Sequence, residues 1–177
     1  ALMALASLAV ITAFVRNEYQ YQYVSSYSNL DLPLYYKISG LWAGQTGSLL
    51  FWALLLGFFA TLAILQNRTR NRELMPYVAG TLLTVLGFLL LIIVTVSNPF
   101  TPLPFVPADG QGLTPQLQNY WMTIHPPTLY LGFTSFTIPF SFAIAALITG
   151  RLDATWITTT RRWTLLSWFF LTNGIIF

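Results

Sequence analysis

Uncharged apolar runs alternate with shorter polar segments along most of the chain. Three runs reach the roughly 20 residues that an α-helix needs to cross a bilayer, at residues 41–65, 77–96 and 127–149. Two shorter runs, at residues 1–15 and 163–177, lie at the chain ends and look like spans that are cut short. The pattern predicts an all-α integral membrane protein, a multi-span helical bundle of about five spans in one membrane portion of a larger protein.

The composition supports a membrane protein and excludes several other classes. Only 7% of the residues are charged and 55% are hydrophobic, whereas a soluble domain carries about 25% charged residues. The net charge of +3 is small and scattered, so we expect no nucleic acid partner and the lipid bilayer as the main surroundings. There is no cysteine, which excludes disulfides, thiol catalysis and thiolate metal sites.

Basic residues in the polar segments predict the orientation, since such residues collect on the cytoplasmic side. They are concentrated in segments 66–75 and 150–162, as Arg68, Arg70, Arg72, Arg151, Arg161 and Arg162. The longer segments, 16–40 and 97–125, carry few basic residues. We therefore expect these long segments on the outer, periplasmic side, and their length favours a functional role.

The only histidine of the chain, His125, is followed directly by Pro126 and Pro127. A residue before proline is biased away from the helical region, so we expect His125 just before a helix, near the positive end of its dipole. That setting favours the neutral imidazole that binds metals. A lone histidine cannot build a zinc site but can serve as a haem axial ligand. The alternative is an interfacial hydrogen-bonding residue.

The stretch before His125 holds five prolines and two glycines in "SNPFTPLPFVPADGQGLTP". It predicts an ordered irregular loop with a turn at "ADGQG" rather than a helix. Tyr120 and Trp121 follow, and they are either interfacial anchors or contacts to a planar ligand.

A second outer motif is "LPLYYKISGLWAGQTGSLLFW", at residues 32–52. Lys37 could pair with a haem propionate or a lipid phosphate, or could snorkel to the membrane surface. Trp42 is a further candidate for the surroundings of haem. Three glycines are expected where the backbone turns or approaches another segment closely: Gly40, Gly44 and Gly47.

Small residues and Pro139 form a stripe down the span that follows His125. Their helical spacing predicts close packing against a neighbouring helix, or, as the alternative, the lining of a cavity. The stripe consists of Thr128, Gly132, Ser135, Pro139, Ala143 and Ala146.

Several motifs in register resemble the CcmF family of cytochrome c biogenesis proteins. They are "LPLYYKISGLWAGQTGSLLFWALLL", "SNPF", "ADGQGLTPQLQ", "IHPPTLYLGF" and "FAIAALITGRLDATWITTTRRWTLLSWFFLTNGI", and together they run from about Ser28 to the end. The resemblance implies the N-terminal part of the haem lyase membrane subunit in the bacterial cytoplasmic membrane, less favourably the mitochondrial inner membrane. It implies that His125 is a periplasmic haem ligand.

The same resemblance implies haem, including a haem b, as cofactor and the haem chaperone CcmE, lyase subunits of the CcmH and CcmI types and apocytochrome c as partners. The family's tryptophan-rich segment, second periplasmic histidine and transmembrane histidines have no counterpart here, so we expect this chain alone to be inactive. Thr46 stands where the family is usually acidic. Alternatives are a paralogue serving a nitrite reductase, a non-enzymatic scaffold and a transporter segment.

Overall fold

A computed structural model describes residues 1–69, 71–151 and 153–177, and within them the fold is helical without a named strand. An isolated antiparallel bridge joins Tyr21 to Pro102. The α-helices are α1 Leu2–Val15, α2 Gln22–Tyr27, α3 Leu34–Ala43, α4 Gln45–Asn67, α5 Met75–Thr95, α6 Tyr120–Thr149 and α7 Thr155–Ile176, with a short 3-10 helix at Pro115–Leu117. The all-α fold class is confirmed.

Three of the described helices, α4, α5 and α6, are long and apolar enough to cross a membrane. They contain most of the predicted runs 41–65, 77–96 and 127–149, with different ends. The first run is interrupted, because α3 ends at Ala43 and α4 starts at Gln45. Helix α1 is apolar but shorter, and α7 opens with threonines and two arginines. The five-span arrangement stays a prediction.

The chain forms two compact units. The first consists of Ala1–Leu54 and Leu89–Pro127, and the second of Leu55–Phe88 and Thr128–Phe177. The first unit has an apolar core contributed mainly by α1, α2 and α3. Its fully or nearly buried members are Val10, Ala13, Phe14, Tyr19, Tyr23, Val24, Leu41 and Leu50.

Glycines let aromatic rings of the first unit lie directly against α3 and the start of α4. A Cβ on Gly40 would lie 2.6 Å from the Phe14 ring, one on Gly44 would meet the Tyr27 ring, and one on Gly47 would meet the Leu41 carbonyl. Any larger side chain at these positions would require the rings or the backbone to shift. The predicted close approach at the three glycines is confirmed.

Segments 16–33 and 97–119, which we call the tied loop layer, are joined by backbone hydrogen bonds. The N–H of Gln22 donates to the Thr101 carbonyl at 2.9 Å, and that of Leu103 to the Gln20 carbonyl at 2.8 Å. The N–H of Gln111 donates to the Ser25 carbonyl at 2.7 Å. These bonds satisfy backbone groups that no helix or sheet can serve, so the proline-rich segment is ordered yet irregular, as predicted.

Within the second unit, α6 and α7 pack through small residues, as the stripe predicted. A Cβ on Gly132 would lie 2.6 Å from Leu171, and one on Gly174 would lie 2.6 Å from Leu129. Between these two contacts and Pro139, the hydroxyls of Ser135 and Ser167 form a buried 2.7 Å hydrogen bond. Each glycine therefore receives a leucine of the other helix, which is the close approach expected of small residues in membranes.

The two arginine-bearing connections of the second unit also meet. Arg151 forms an exposed ion pair with Glu73, and the Asn71 amide donates to the Thr159 hydroxyl at 3.5 Å. Arg70, which was counted among the orienting residues, lies outside the described residues. The contacts show that described residues of segments 66–75 and 150–162 lie next to each other.

Candidate functional site around His125

The structure contradicts the expected position of His125 just before a helix. Helix α6 begins at Tyr120, so His125 is its sixth residue and lies past the four free N–H groups of the helix start. The missed signal is Asn119, whose side-chain oxygen accepts the Trp121 N–H at 2.9 Å. Asparagine is a preferred N-cap residue, and its cap starts the helix ahead of the prolines. The dipole argument for neutral imidazole therefore loses its basis.

The imidazole of His125 is half-buried and has no hydrogen bond or ion pair to any residue that the structure describes. Its ring nitrogens are therefore not used in holding this part of the fold together. A histidine in that state can accept a bond from a group that this chain does not supply. An uncommitted ring nitrogen is a property that a metal ligand needs.

The prolines behind His125 leave two carbonyls of α6 without their usual helical donors. In a helix the N–H of each residue bonds to the carbonyl four residues earlier; Pro126 and Pro127 have none to give to Met122 and Thr123. The indole N–H of Trp42 donates to the Thr123 carbonyl at 3.0 Å. Trp42 thus occupies the position of the missing donor two residues before His125.

Trp42 is itself held at the junction of α3 and α4. Its carbonyl accepts the Ser48 hydroxyl at 3.1 Å, and its ring lies 5.4 Å from that of Phe51. The hydroxyl of Tyr23 donates to the Gly40 carbonyl at 2.7 Å and accepts the Gly44 N–H at 3.1 Å. The junction is therefore fixed on both sides of Trp42.

Tyr120 and Trp121 lie at the surface of the first turn of α6, 68% and 51% exposed. Their rings meet edge to face with centroids 5.2 Å apart. This placement leaves both predicted uses open, as interfacial anchors or as contacts to a planar ligand.

Lys37 differs from the expectation that it would snorkel. The residue is only 7% exposed, and its ammonium donates to Asn17 Oδ1 at 2.6 Å and to the Leu30 carbonyl at 3.4 Å. Asn17 adopts a left-handed backbone conformation with φ 57°, which asparagine tolerates better than most residues. The ammonium is thus engaged inside the first unit, and the snorkelling interpretation is wrong.

Near this lysine, Asp109 bonds to backbone groups in both segments of the tied loop layer. Its carboxylate accepts the N–H of Leu30 at 2.9 Å and of Gly110 at 2.7 Å, and these bonds lower the pKa of the carboxyl. Burial, followed by the Asp109 charge, raises the pKa of the nearby Tyr19 phenol to about 12. The layer therefore contains a carboxylate stabilised in its charged form beside a phenol stabilised in its neutral form.

Comparison with known proteins identifies the family. The family model described as cytochrome C assembly protein matches residues 42–177, which is most of the chain.

The chain belongs to the cytochrome c assembly protein family.

Relatives within this family are similar over nearly the whole chain. The cytochrome c-type biogenesis protein CcmF of Pseudomonas aeruginosa is 43% identical over 99% of this chain, and that of Escherichia coli is 43% identical over 97%. The chain spans 27% of the length of each. The cytochrome c-type biogenesis protein NrfE of Haemophilus influenzae is 34% identical over 93% of this chain, which covers 26% of that relative.

A solved structure, titled cytochrome c heme lyase CcmF, agrees in fold. Its TM-score is 0.80 with 30% identity, covering 97% of this chain and 26% of that one. Bacterial relatives and apolar helices together support a protein of the bacterial inner membrane.

For a member of the cytochrome c assembly family, the donor set determines whether haem fits this chain. The described residues contain no group of three or more histidine, cysteine, aspartate or glutamate side chains that could hold a metal ion. Haem iron needs only one or two axial ligands, and His125 offers one uncommitted imidazole. His125 therefore fits haem iron as one axial ligand.

Thr46, at the position where the family resemblance led us to expect an acid, lines a cavity of about 350 Å³ in the first unit. Its other lining residues are uncharged, among them Gln22, Ser26 and Asn98. The cavity carries no side chain with an evident use for a charge at position 46, so the structure does not explain the departure.

Proposed function

We propose that the chain forms part of a haem lyase that attaches haem to apocytochrome c, with His125 as an axial ligand to the haem iron. One observation carries this proposal: the half-buried imidazole of His125 has no described partner, although its turn is held from a distance by Trp42. In a family that assembles cytochromes c, the iron of haem is an evident group for that imidazole to bind.

The contacts between segments support the orientation in which His125 faces the periplasm. The arginine-bearing connections meet through Glu73 and Arg151, and such connections favour the cytoplasmic side. The arginine-poor segments 16–33 and 97–119 are tied to each other. In a multi-span chain, every second connection lies on the same side of the membrane, so we expect contacts within the arginine-bearing pair and within the arginine-poor pair. His125 follows the arginine-poor pair.

In this proposal the residues of the chain bind and orient haem and do not supply the reacting groups. When bound, haem supplies a redox-active iron and the vinyl groups to which the cytochrome thiols add. His125 Nδ1 or Nε2 would hold the iron, while Tyr120 and Trp121 offer exposed aromatic faces in the same helical turns. We assign Lys37 to the fold and not to a propionate, because its ammonium is already bonded to Asn17.

The remaining parts of the proposed machinery lie outside this chain. The second periplasmic ligand and the haem b ligands would come from other parts of the complete protein. Haem would arrive from the chaperone CcmE, and subunits of the CcmH and CcmI types would present the apocytochrome. These partners are proposed because the chain belongs to this family.

The experiment compares His125→Ala with wild type in the complete protein, purified in detergent with and without added imidazole. We expect the substitution to remove a haem population from the absorption spectrum and to abolish cytochrome c maturation in cells. Free imidazole should restore the spectrum in part, since it can replace the missing ligand. Met122→Ala, three residues away and exposed, is the matched control and should keep the spectrum of wild type.

An unchanged haem content and maturation yield in His125→Ala would overturn the proposal. The scaffold interpretation would then be favoured, with the histidine as an interfacial residue. Loss of haem that imidazole does not restore, together with a lower melting temperature, would show that His125 acts by packing and would also contradict ligation.

A further inference from the structure

We propose that Trp42 is a positioning residue for His125, because its indole N–H replaces the backbone donor that Pro127 lacks. The significance for haem rests on the proposed function, but the positioning itself can be tested without haem. Trp42 thereby changes from a candidate haem contact into a residue that acts through the helix backbone.

The first step is that only one of the two released carbonyls is paired with Trp42. Pro126 releases the carbonyl of Met122, an exposed residue, and Pro127 releases the carbonyl of Thr123, a half-buried residue. A partly buried carbonyl without a donor is more costly than one that water can reach. The 3.0 Å bond from Trp42 is therefore made at the position where it stabilises the helix more.

The second step is that Trp42 is a fixed reference point and not a mobile side chain. Ser48 and Phe51 hold its backbone and ring, and Tyr23 fixes the adjacent break between α3 and α4. A bond to the Thr123 carbonyl from such a donor fixes that helical turn relative to α3. His125 lies half a turn further along, so its direction is fixed with it.

The third step is the sequence separation, which explains why the bond is informative. Trp42 and Thr123 are 81 residues apart, and a helix with a normal residue at position 127 would need no such bond. Because of the double proline, this turn of α6 is held by a hydrogen bond from another part of the first unit instead of by a bond within the helix. A ligand that must keep one orientation against a planar group benefits from this external control.

The test uses a rescue that this hydrogen bond predicts for one of the two prolines and not for the other. Trp42→Phe removes the donor and keeps an aromatic ring, whereas Pro127→Ala returns an N–H that can bond to the Thr123 carbonyl within α6. We expect Trp42→Phe to lower the melting temperature of the haem-free protein by about 2–4 °C. The double variant Trp42→Phe with Pro127→Ala should recover most of that loss.

The matched control is Trp42→Phe with Pro126→Ala, which returns a donor to Met122 instead. It should not recover the loss, although it removes a neighbouring proline in the same way. In the complete protein with haem added, Trp42→Phe should weaken haem binding about tenfold and broaden its low-spin absorption and electron paramagnetic resonance signals. Pro127→Ala should reverse both changes and Pro126→Ala should reverse neither.

Equal recovery by the two proline substitutions, or recovery by neither, would overturn the positioning role and leave Trp42 as a packing or haem-contact residue. The melting measurement is independent of haem, so it distinguishes this failure from that of the proposed function. If His125→Ala leaves haem binding intact while the selective rescue by Pro127→Ala holds, the haem proposal fails and the positioning of the turn stands.

Discussion

The tied loop layer and the α6–α7 pair are held together in different ways. In the layer, single hydrogen bonds join backbone groups about 80 residues apart, and Gly110 brings its backbone against that of Ser28. In the pair, one kind of contact repeats at helical spacing, with a leucine of each helix against a glycine of the other. A repeated side-chain contact can adjust to a change, whereas a backbone contact in an irregular loop has little room to do so.

Of the glycine substitutions that compare the two regions, Gly110→Ala should cause the larger loss of stability. Its Cβ would collide with the Ser28 carbonyl, which is backbone and cannot rotate away. We expect a loss of about 3 kcal/mol or more in the free energy of unfolding, measured by denaturant titration in detergent. Gly80→Ala is the control, since a Cβ there meets nothing within 4 Å and alanine favours a helix. A mild effect of Gly110→Ala would show that the backbone of the layer can shift to make room for the added Cβ.

Gly132→Ala should have a smaller effect of about 1–3 kcal/mol, because its Cβ would meet both the side chain and the backbone N of Leu171, and the side chain can move aside. Leu171→Ala in the same protein should remove part of the cost by vacating the space. A double-mutant cycle on melting temperatures measures this coupling. Strict additivity would mean that the two residues do not share a contact, and the packing of α6 on α7 would need revision.

Lys37→Met tests a side-chain bond that supports the layer. The ammonium donates to Asn17 Oδ1. The variant loses this charge-assisted bond but also avoids the desolvation cost of burying the lysine, so we expect a net loss of about 1–2 kcal/mol in the free energy of unfolding. Asn17→Gly keeps the left-handed backbone and removes the acceptor. If the bond is the cause, the double variant should lose less stability than the sum of the single losses. Additive losses would assign the effect of Lys37 to packing instead.

The smallest effect expected is a change in acid stability at Asp109. Its lowered pKa means that its contribution to stability is present above the unfolded value of about 4 and is lost as the pH falls through the folded pKa. Asp109→Asn should therefore flatten the fall of melting temperature between about pH 5 and pH 2. An unchanged acid limb would show that Asp109 does not tie Leu30 and Gly110 in solution.

The sequence predicted the helical parts of this fold and drew attention to His125. Apolar runs located the long helices, small residues at helical spacing predicted the packing of α6, and the prolines singled out His125. These are properties of single segments, which periodicity reports directly. Family motifs then supplied the function to test.

What could not be predicted depends on pairs of distant residues. The bond from Trp42 to the Thr123 carbonyl and the burial of Lys37 beside Asn17 need the tertiary fold, because nothing local pairs these groups. The start of α6 is a different case, since Asn119 was an available cap signal that the rule on residues before proline outweighed. Because five helical residues precede His125 in α6, the local bias at this position was overridden.

The hydrogen bond between Leu30 and Asp109 has a consequence for biosynthesis. The two residues are 79 positions apart, and a ribosome adding about 5–20 residues per second needs roughly 4–16 s to cover that distance. During this interval the first half of the layer has been made but its partner has not, while α4 and α5 are synthesised in between. The newly made segment must therefore wait on its own, and its folding is timed by the elongation of the chain.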